Sequence, residues 1–474
     1  MNHSCIAILL AVLSTQALAQ TQTSITKYEY DAMGNVTKIT NPNNAAAIQS
    51  HDELGRLKTR TDADGKTTRF IYNAQDQLIE LQDARNVSTL YTFDGLGNLL
   101  RQESPDSGNT TFTVDAAGNM QSSTDAKGQT TRYTHDVLNR ITRIDYHDGK
   151  AVTYVYDEGA NARGRLSKIS DDSGNIEYRY DGRGRVLSEI RSTRVNTIPA
   201  SLSTTTISYL YDIAGRITSL TYPNGRIISY TRDSLGRISR IDTIKNGVSA
   251  PILSEVVYQP FGPAESYRNS AGQPFTRSFD LDGRITSYTL NNQTQSISYD
   301  AASRILGINQ ANNPARQASY GYDVLDRLIS YTTPQLSQGF GWDATGNRTT
   351  QTTGANTSAY SYSPASNRLQ QISGAQNQTI LTDATGNITD NGRARFGYDA
   401  RGRMVSATTA NGQVQYLINA LGQRVQKIVP GSGNLAATVT LYHYDLAGKL
   451  IAESTGNQET HYVYLDEMPV AVIK

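Results

Sequence analysis

The feature that most limits what this chain can fold into is a recurring motif, Tyr-x-Tyr-Asp-x-x-Gly-Arg/Asn-hydrophobic, because a fixed period demands one supersecondary unit copied along the chain. Its Asp slot falls at Asp31, Asp52, Asn73, Asp94, Asp115, Asp136 and Asp157, each twenty-one residues after the last. The series continues with looser spacing at Asp181, Asp212, Asp233, Gln259, Asp280, Asp300, Asp323, Asp343, Ser363, Asp383, Asp399, Asn419, Asp445 and Leu465, giving about twenty-one units. Nothing between Tyr28 and the last residue is left over for a separate globular domain.

The residue types explain the unit. Tyr28 and Tyr30 are two apart and share one face of a strand, as do Tyr209 and Tyr211. Stacked units are expected to align these rings into ladders. Asp31, Asp212, Asp399 and Asp445 then open a turn, their carboxylates accepting from the backbone two residues on. Gly34, Gly215, Gly402 and Gly448 hold the fourth position, where a following bulge requires φ > 0. Gly262 occupies the same slot after Gln259. A second strand follows, as in Arg216-Ile217-Thr218-Ser219-Leu220, and a second turn such as Asp62-Ala63-Asp64-Gly65 closes the unit. One hairpin is barely stable alone, so neighbours must stack. The fold class expected is all-β: tandem hairpins forming a spiral, partly open shell. The looser stretches near 189–206 and 241–256 are expected to be connectors at the rim.

The repeat resembles the YD repeat of the Rhs family, which also occurs in bacterial wall-associated proteins, toxin-complex cocoon subunits and teneurins. The resemblance covers Tyr28 to Lys474. It implies a long β-ribbon wound into a hollow shell that encloses a C-terminal toxin or presents an adhesive surface. Full-length members continue past a segment like Tyr464 to Ile473 into a core with a paired Asp-Pro-x-Gly self-cleavage motif. This sequence has no Asp-Pro dipeptide, so neither self-cleavage nor a toxin payload carries over. Twenty-one units of two strands at ~4.8 Å give on the order of 200 Å of ribbon, roughly one circuit of a tube ~60 Å across. Open strand edges at its ends then invite another repeat-shell or toxin polypeptide.

The N-terminus carries an apolar run from Ile6 to Leu13 and then Ala17-Leu18-Ala19, which reads as a secretory signal over residues 1–19 ahead of a repeat region 20–474. Eight apolar residues are too few for the ~20 of a membrane helix. A secreted, periplasmic or outer-surface location follows. Cys5 lies inside that segment and is the single cysteine, so the mature chain holds no disulfide and no thiolate nucleophile. Lys+Arg of 44 against Asp+Glu of 43 offers no field for nucleic acid.

Catalytic motifs are lacking. Gly65-Lys66-Thr67 does not have the earlier glycine of a phosphate loop, since Arg60 stands there. Asp62-Ala63-Asp64-Gly65 has no following Glu at the EF-hand position. His3, His51, His135, His147, His443 and His461 form no zinc-binding pair, and no Gly-x-Ser-x-Gly elbow is present. No cofactor, metal or catalytic residue is expected. The sequence therefore predicts a non-catalytic shell or scaffold for shielding, display or adhesion. A carbohydrate-binding surface built on the tyrosines, or the remnant of a polymorphic toxin, are the alternatives.

Overall fold

The structure, a computed structural model, describes residues 24–195, 201–431 and 436–474. The expected signal segment lies outside them. The described residues form forty-three strands and one short 3₁₀ turn, Pro314–Arg316. Each strand pairs antiparallel with its neighbours in sequence, except across one break. One run of thirty-three strands ends at Gln378–Thr379, and a run of ten follows from Leu381–Thr382 to Met468–Ile473. The break falls at Ile380, whose N–H donates to the Gln370 carbonyl as the last link of the first run.

Most Asp slots make the turn their chemistry requires, while Asp157 opens a longer loop in which its N–H donates to the Arg165 carbonyl. The Asp31 N–H donates to the Asn35 carbonyl at 3.0 Å, and the Gly34 N–H donates to the Asp31 carbonyl at 3.1 Å. The register slips between Glu29 and Tyr30, so the turn is followed by a bulge. Gly34 sits at φ 86°, where a side chain is strained. One turn departs from the expected glycine. After Gln259 the left-handed residue is Phe261 at φ 58° and not Gly262, because Pro260 presets the preceding position and Pro263 drives Gly262 to extended backbone.

Among the described residues, the two loosely spaced stretches expected as rim connectors are largely strand. Val186–Val195 pairs with Ser201–Tyr211, and Ile238–Lys245 pairs with Val248–Tyr258, making hairpins longer than the five- and six-residue strands of the early units. Alternating residues such as Ile190, Ser192, Thr204 and Thr206 supply the β-propensity that continues the ladder past the usual turn.

The ribbon winds upon itself. Asn43 meets Asp300, Asp83 meets Asn367, Lys127 meets Asp383, Arg191 meets Gln423 and Tyr222 meets Tyr462, at sequence separations of 257, 284, 256, 232 and 240 residues. The Asp-slot turns of the second circuit thus sit on the second turns of the first. The approach is close at Gly386, where a Cβ would lie 2.4 Å from the Asp106 carbonyl oxygen. This corrects the expected single wide circuit. From Asn43 to Asp300 the ribbon spends twenty-three strands on one turn, a circumference of about 110 Å and a diameter of about 35 Å at ~4.8 Å per strand. The strand count expected from the repeat holds, but the chain makes nearly two narrow turns.

Burial follows from this winding. Among described residues up to Ala151, Val87 alone is buried, so the early wall is one sheet thick. Where the long hairpins run beneath the end of the second circuit the protein becomes two layers. There Ile207, Tyr209, Leu220, Ile228, Ile241 and Leu253 pack with Ile451, Val463 and Leu465 in one apolar cluster.

Candidate functional site

The repeated turn is the unit from which every site here is built. In the first unit Asp31 Oδ1 accepts from the N–H groups of Met33 and Asn35, both at 2.9 Å, and Oδ2 accepts from the Asn35 amide at 3.0 Å. Asp212 and Asp399 do the same with Arg216 and Arg403, whose Nε atoms lie 2.6 Å and 2.9 Å from Oδ2. Gly215, Gly402 and Gly448 take φ of 84°, 72° and 79°. Hydrogen bonds from the residue four positions on hold these carboxyls below the usual range. They come through the side chain at Asp31, Asp52, Asp94 and Asp115, and through the backbone at Asp136, Asp181 and Asp212.

The tyrosine before the Asp ties each unit to the one before. The hydroxyls of Tyr72, Tyr156, Tyr180, Tyr211, Tyr258, Tyr299, Tyr322, Tyr398, Tyr444 and Tyr464 each donate to the carbonyl that opens the preceding unit's second strand, at 2.6–3.0 Å. At two slots that hold another residue the bond persists. Trp342 Nε1 donates to the Leu328 carbonyl at 2.9 Å, and Arg232 donates to the Ile217 carbonyl at 3.0 Å. The arginine after the turn completes the link. Arg56 pairs with its own Asp52, donates to the Asn73 carbonyl of the next unit at 3.1 Å, and lies 4.8 Å over the Tyr72 ring.

The expected ladder of stacked rings is therefore a ladder of alternating guanidinium and phenol. Arg140 on Tyr156, Arg185 on Tyr211, Arg237 on Tyr258 and Arg304 on Tyr322 repeat the contact at 4.3–5.0 Å. Ring-on-ring pairs such as Tyr320 with Tyr331 are exceptions. Sequence reading could not see this, because the two partners belong to different units. Tyr28 and Tyr30, on the first strand, are 53% and 60% exposed.

In the two-layer region the same slots become buried chemistry. Glu189 and Arg191, on one face of the long hairpin, form an ion pair at 3.0 Å with side chains 2% and 5% exposed. Arg191 also donates to Gln423 Oε1 at 3.0 Å, and the Tyr209 hydroxyl donates to Glu189 at 3.4 Å while accepting from the Leu446 N–H at 3.1 Å. Burial pushes the Glu189 carboxyl and the Tyr209 phenol up. His443 and His461 lie in one cross-strand row through Ala452. Burial first, then Arg191 and His461, push His443 down to about 4. Neither Glu189 nor Arg191 was singled out from the sequence, since their partners lie over two hundred residues away.

Between the circuits lies a cleft of about 820 Å³, lined by Tyr146, Lys150 and Arg194 from the first and Tyr398, Arg401 and Tyr416 from the second. Arg401 spans it, 4.9 Å over the Tyr146 ring and 3.4 Å from Asp171. No group of three or more His, Cys, Asp and Glu residues suited to a metal ion occurs among the described residues. No helix among them is long and apolar enough to cross a membrane.

The model of the teneurin YD-shell matches residues 19–199 and 255–437, more than half of the chain, and the RHS repeat model matches 211–245. Among solved structures, the Photorhabdus luminescens Tc holotoxin pore superposes with a TM-score of 0.74 at 16% identity, over 93% of this chain and 27% of that one. The TcdB2–TccC3 crystal structure gives a TM-score of 0.66 at 15% identity, over 93% of this chain and 30% of that one. These likenesses show the fold, and the chain spans less than a third of the length of those neighbours. No curated protein matches the chain in sequence.

Proposed function

Since the chain belongs to the teneurin YD-shell family, we propose that it acts as a wall, a secreted shell segment that shields or displays material at the cell surface, without catalysis of its own. The observation that carries this reading is the winding. Two circuits locked turn against turn give a hollow form whose strength comes from repeated backbone and side-chain bonds, as at Asn43 with Asp300 and Lys127 with Asp383. The expected signal segment supports export, and the mixed charge supports a role that does not depend on long-range steering. Electron microscopy of the purified chain tests the reading. A hollow β-walled particle about 35 Å across is expected, and a filled globule ends the proposal.

The outer edge of the strand Lys27–Tyr30 has no strand partner among the described residues, and its tyrosines stand exposed. That edge supports pairing with a further shell or toxin polypeptide by strand addition. Deleting 24–30 is expected to abolish any end-to-end association seen by light scattering; unchanged association would assign it elsewhere.

A carbohydrate partner is the second reading, and the observation that favours it is the 820 Å³ cleft, large enough for a sugar and lined by both polar and aromatic side chains. A glycan array should show a binder that is lost in Tyr416→Ala. A blank array removes the idea.

A further inference from the structure

The two circuits leave two free rims of different chemistry. Consecutive strands pair antiparallel, so the Asp-slot turns gather at one end of the tube and the second turns at the other. The Asp-slot turns from Asp300 onward sit on the first circuit. Those from Asp31 to Asp280 have no circuit beyond them, and no hydrogen bond or ion pair among the described residues joins them to the second circuit.

The two central residues of each turn follow this division. At the mated turns they are mostly small, as at Ala301, Ala344, Ala384, Ala400 and Ala420. The larger ones there, Val324, Leu421 and Leu446, are at most 50% exposed. At the free turns the same positions carry Met33, Leu54, Leu96 and Leu138 on one half of the rim, and Ile213, Leu235, Phe261 and Leu281 on the other, each at least 67% exposed. A turn that meets only water has no need of such groups. The opposite rim shows this, since second turns of the second circuit are tipped by Asn291, Asn292, Asn312, Ala355 and Asn411. Phe261 points the same way: a bulky residue is kept at φ 58°, a strained position, with its ring uncovered.

The shape of the apolar rim selects its occupant. Because the Asp300 turn lies under the turn at Asn43, the rim is a ramp that descends by one hairpin between Asp31 and Asp280. A flat bilayer meets only the crest of a ramp. The tips also offer no surplus of cations to an anionic surface, with Glu53, Glu158 and Asp282 against Arg163 and Arg183. A helical ramp keeps its hand when turned over, so a second copy related by a two-fold axis across the tube meets it along its whole length. Successive turns stand two strands, about 9.6 Å, apart, and the gaps at Gln75, Ala117 and Arg183 leave room for the teeth of an opposed rim. We propose that two copies of the chain join rim to rim through these turns, in an isologous dimer that covers the apolar tips and leaves the Asn-tipped rims outward. Eight side chains at ~60–120 Å² each supply about 500–1,000 Å² of apolar surface per copy, against the ~800 Å² per partner of a stable interface. Head-to-tail stacking would instead set apolar tips on Asn-tipped turns and run on as an open filament.

Sedimentation velocity of the full chain tests this. A monomer–dimer equilibrium with a Kd of about 10 µM or tighter is expected. Leu96→Glu and Leu235→Glu, on opposite halves of the rim, should each weaken association at least tenfold, because a carboxylate set into an apolar contact has no partner there. Leu96→Gln and Leu235→Gln should weaken it less, and an unchanged β circular dichroism spectrum and thermal midpoint in all four keep misfolding out of the account. Asn292→Glu and Asn411→Glu, on the other rim, should leave the dimer as it is. Absence of a dimer at about 100 µM, ten times that Kd, overturns the proposal, and hollow monomers under the electron microscope would then leave the shell reading standing. A dimer undiminished in Leu96→Glu and Leu235→Glu but lost on deleting 24–30 belongs to the strand edge and overturns it too. Longer oligomers that fail in Asn411→Glu overturn it in favour of head-to-tail stacking, and monomers that bind phosphatidylcholine vesicles and lose them in Leu96→Glu overturn it in favour of a lipid surface.

Discussion

Along Lys27–Asp145 the protein is a single sheet in which Val87 alone is buried, whereas from Val152 onward the long hairpins and the last strands bury a shared core. The first region is held by a lattice of small polar links, each joining one unit to the next. The second is held as ordinary globular domains are, by apolar burial and a few buried polar pairs between residues far apart in sequence. The same repeat serves both, so what differs is strand length: hairpins that outrun the usual turn acquire a second layer to lie against.

The comparison can be broken most forcefully at the buried pair. Arg191→Ala leaves Glu189 uncompensated and should destabilise the two-layer region by about 3–5 kcal/mol, read as faster hydrogen exchange in Val186–Tyr211 with the early wall unchanged. Loss of protection that spreads evenly to Lys27–Asp145 would show the two regions to be one cooperative unit. Next comes Ile241→Ala, at a position with 0% exposure, expected to cost about 2–5 kcal/mol. Ile71→Ala in the wall, 45% exposed, should stay within about 0.5 kcal/mol. Similar costs at the two sites would contradict the distinction.

Acid should separate the regions as well. His443 is pushed down to about 4, so its neutral form contributes stability that is complete above the ordinary ~6.5 and lost as pH falls toward the folded value, on the order of 3 kcal/mol in all. Glu189 and Asp445, with raised values, act in the opposite sense, contributing most at low pH. The wall carboxyls are depressed and lose their contribution only below the usual ~3.9. The two-layer region should therefore loosen first on acidification, by limited proteolysis between pH 6.5 and 4, and His443→Gln should blunt that loss. An identical pH profile in the variant would remove His443 from the account. The smallest effect belongs to the lattice: Tyr72→Phe deletes one 3.0 Å bond to the Leu57 carbonyl and should cost about 0.5–1.5 kcal/mol, measured by exchange at the Leu57–Thr61 strand.

The wall was legible in the sequence because its causes are local. Asp31 and Gly34 make their turn with partners inside four residues, and the tyrosine pairs declare a strand face by their spacing alone. The link between Arg56 and Tyr72 was half legible: each residue is conspicuous in its own unit, but nothing in the sequence says that one unit's arginine covers the next unit's ring. The double layer was not legible. Glu189 and Arg191 look like an exposed charged strand until Gln423 and Leu446 are folded over them, and the extended hairpins looked like loose connections because the period breaks there. The number of turns was missed for the same reason, as the circumference is set by which turns meet across more than two hundred residues.

The mating of Asp-slot turns with the turns one circuit below makes the chain behave like a screw thread. A twenty-one-residue unit inserted between Lys127 and Asp300 would leave every hairpin intact, yet it would advance all later units by one place, so that Asp300, Asn367 and Asp383 each faced the wrong partner. The number of units between two mated turns is thus a pitch, and duplication within it strips the thread even though each duplicated part folds well. Variation in length is tolerable where strands grow outward, as in the hairpin Val186–Tyr211, which lengthens the tooth without changing the count.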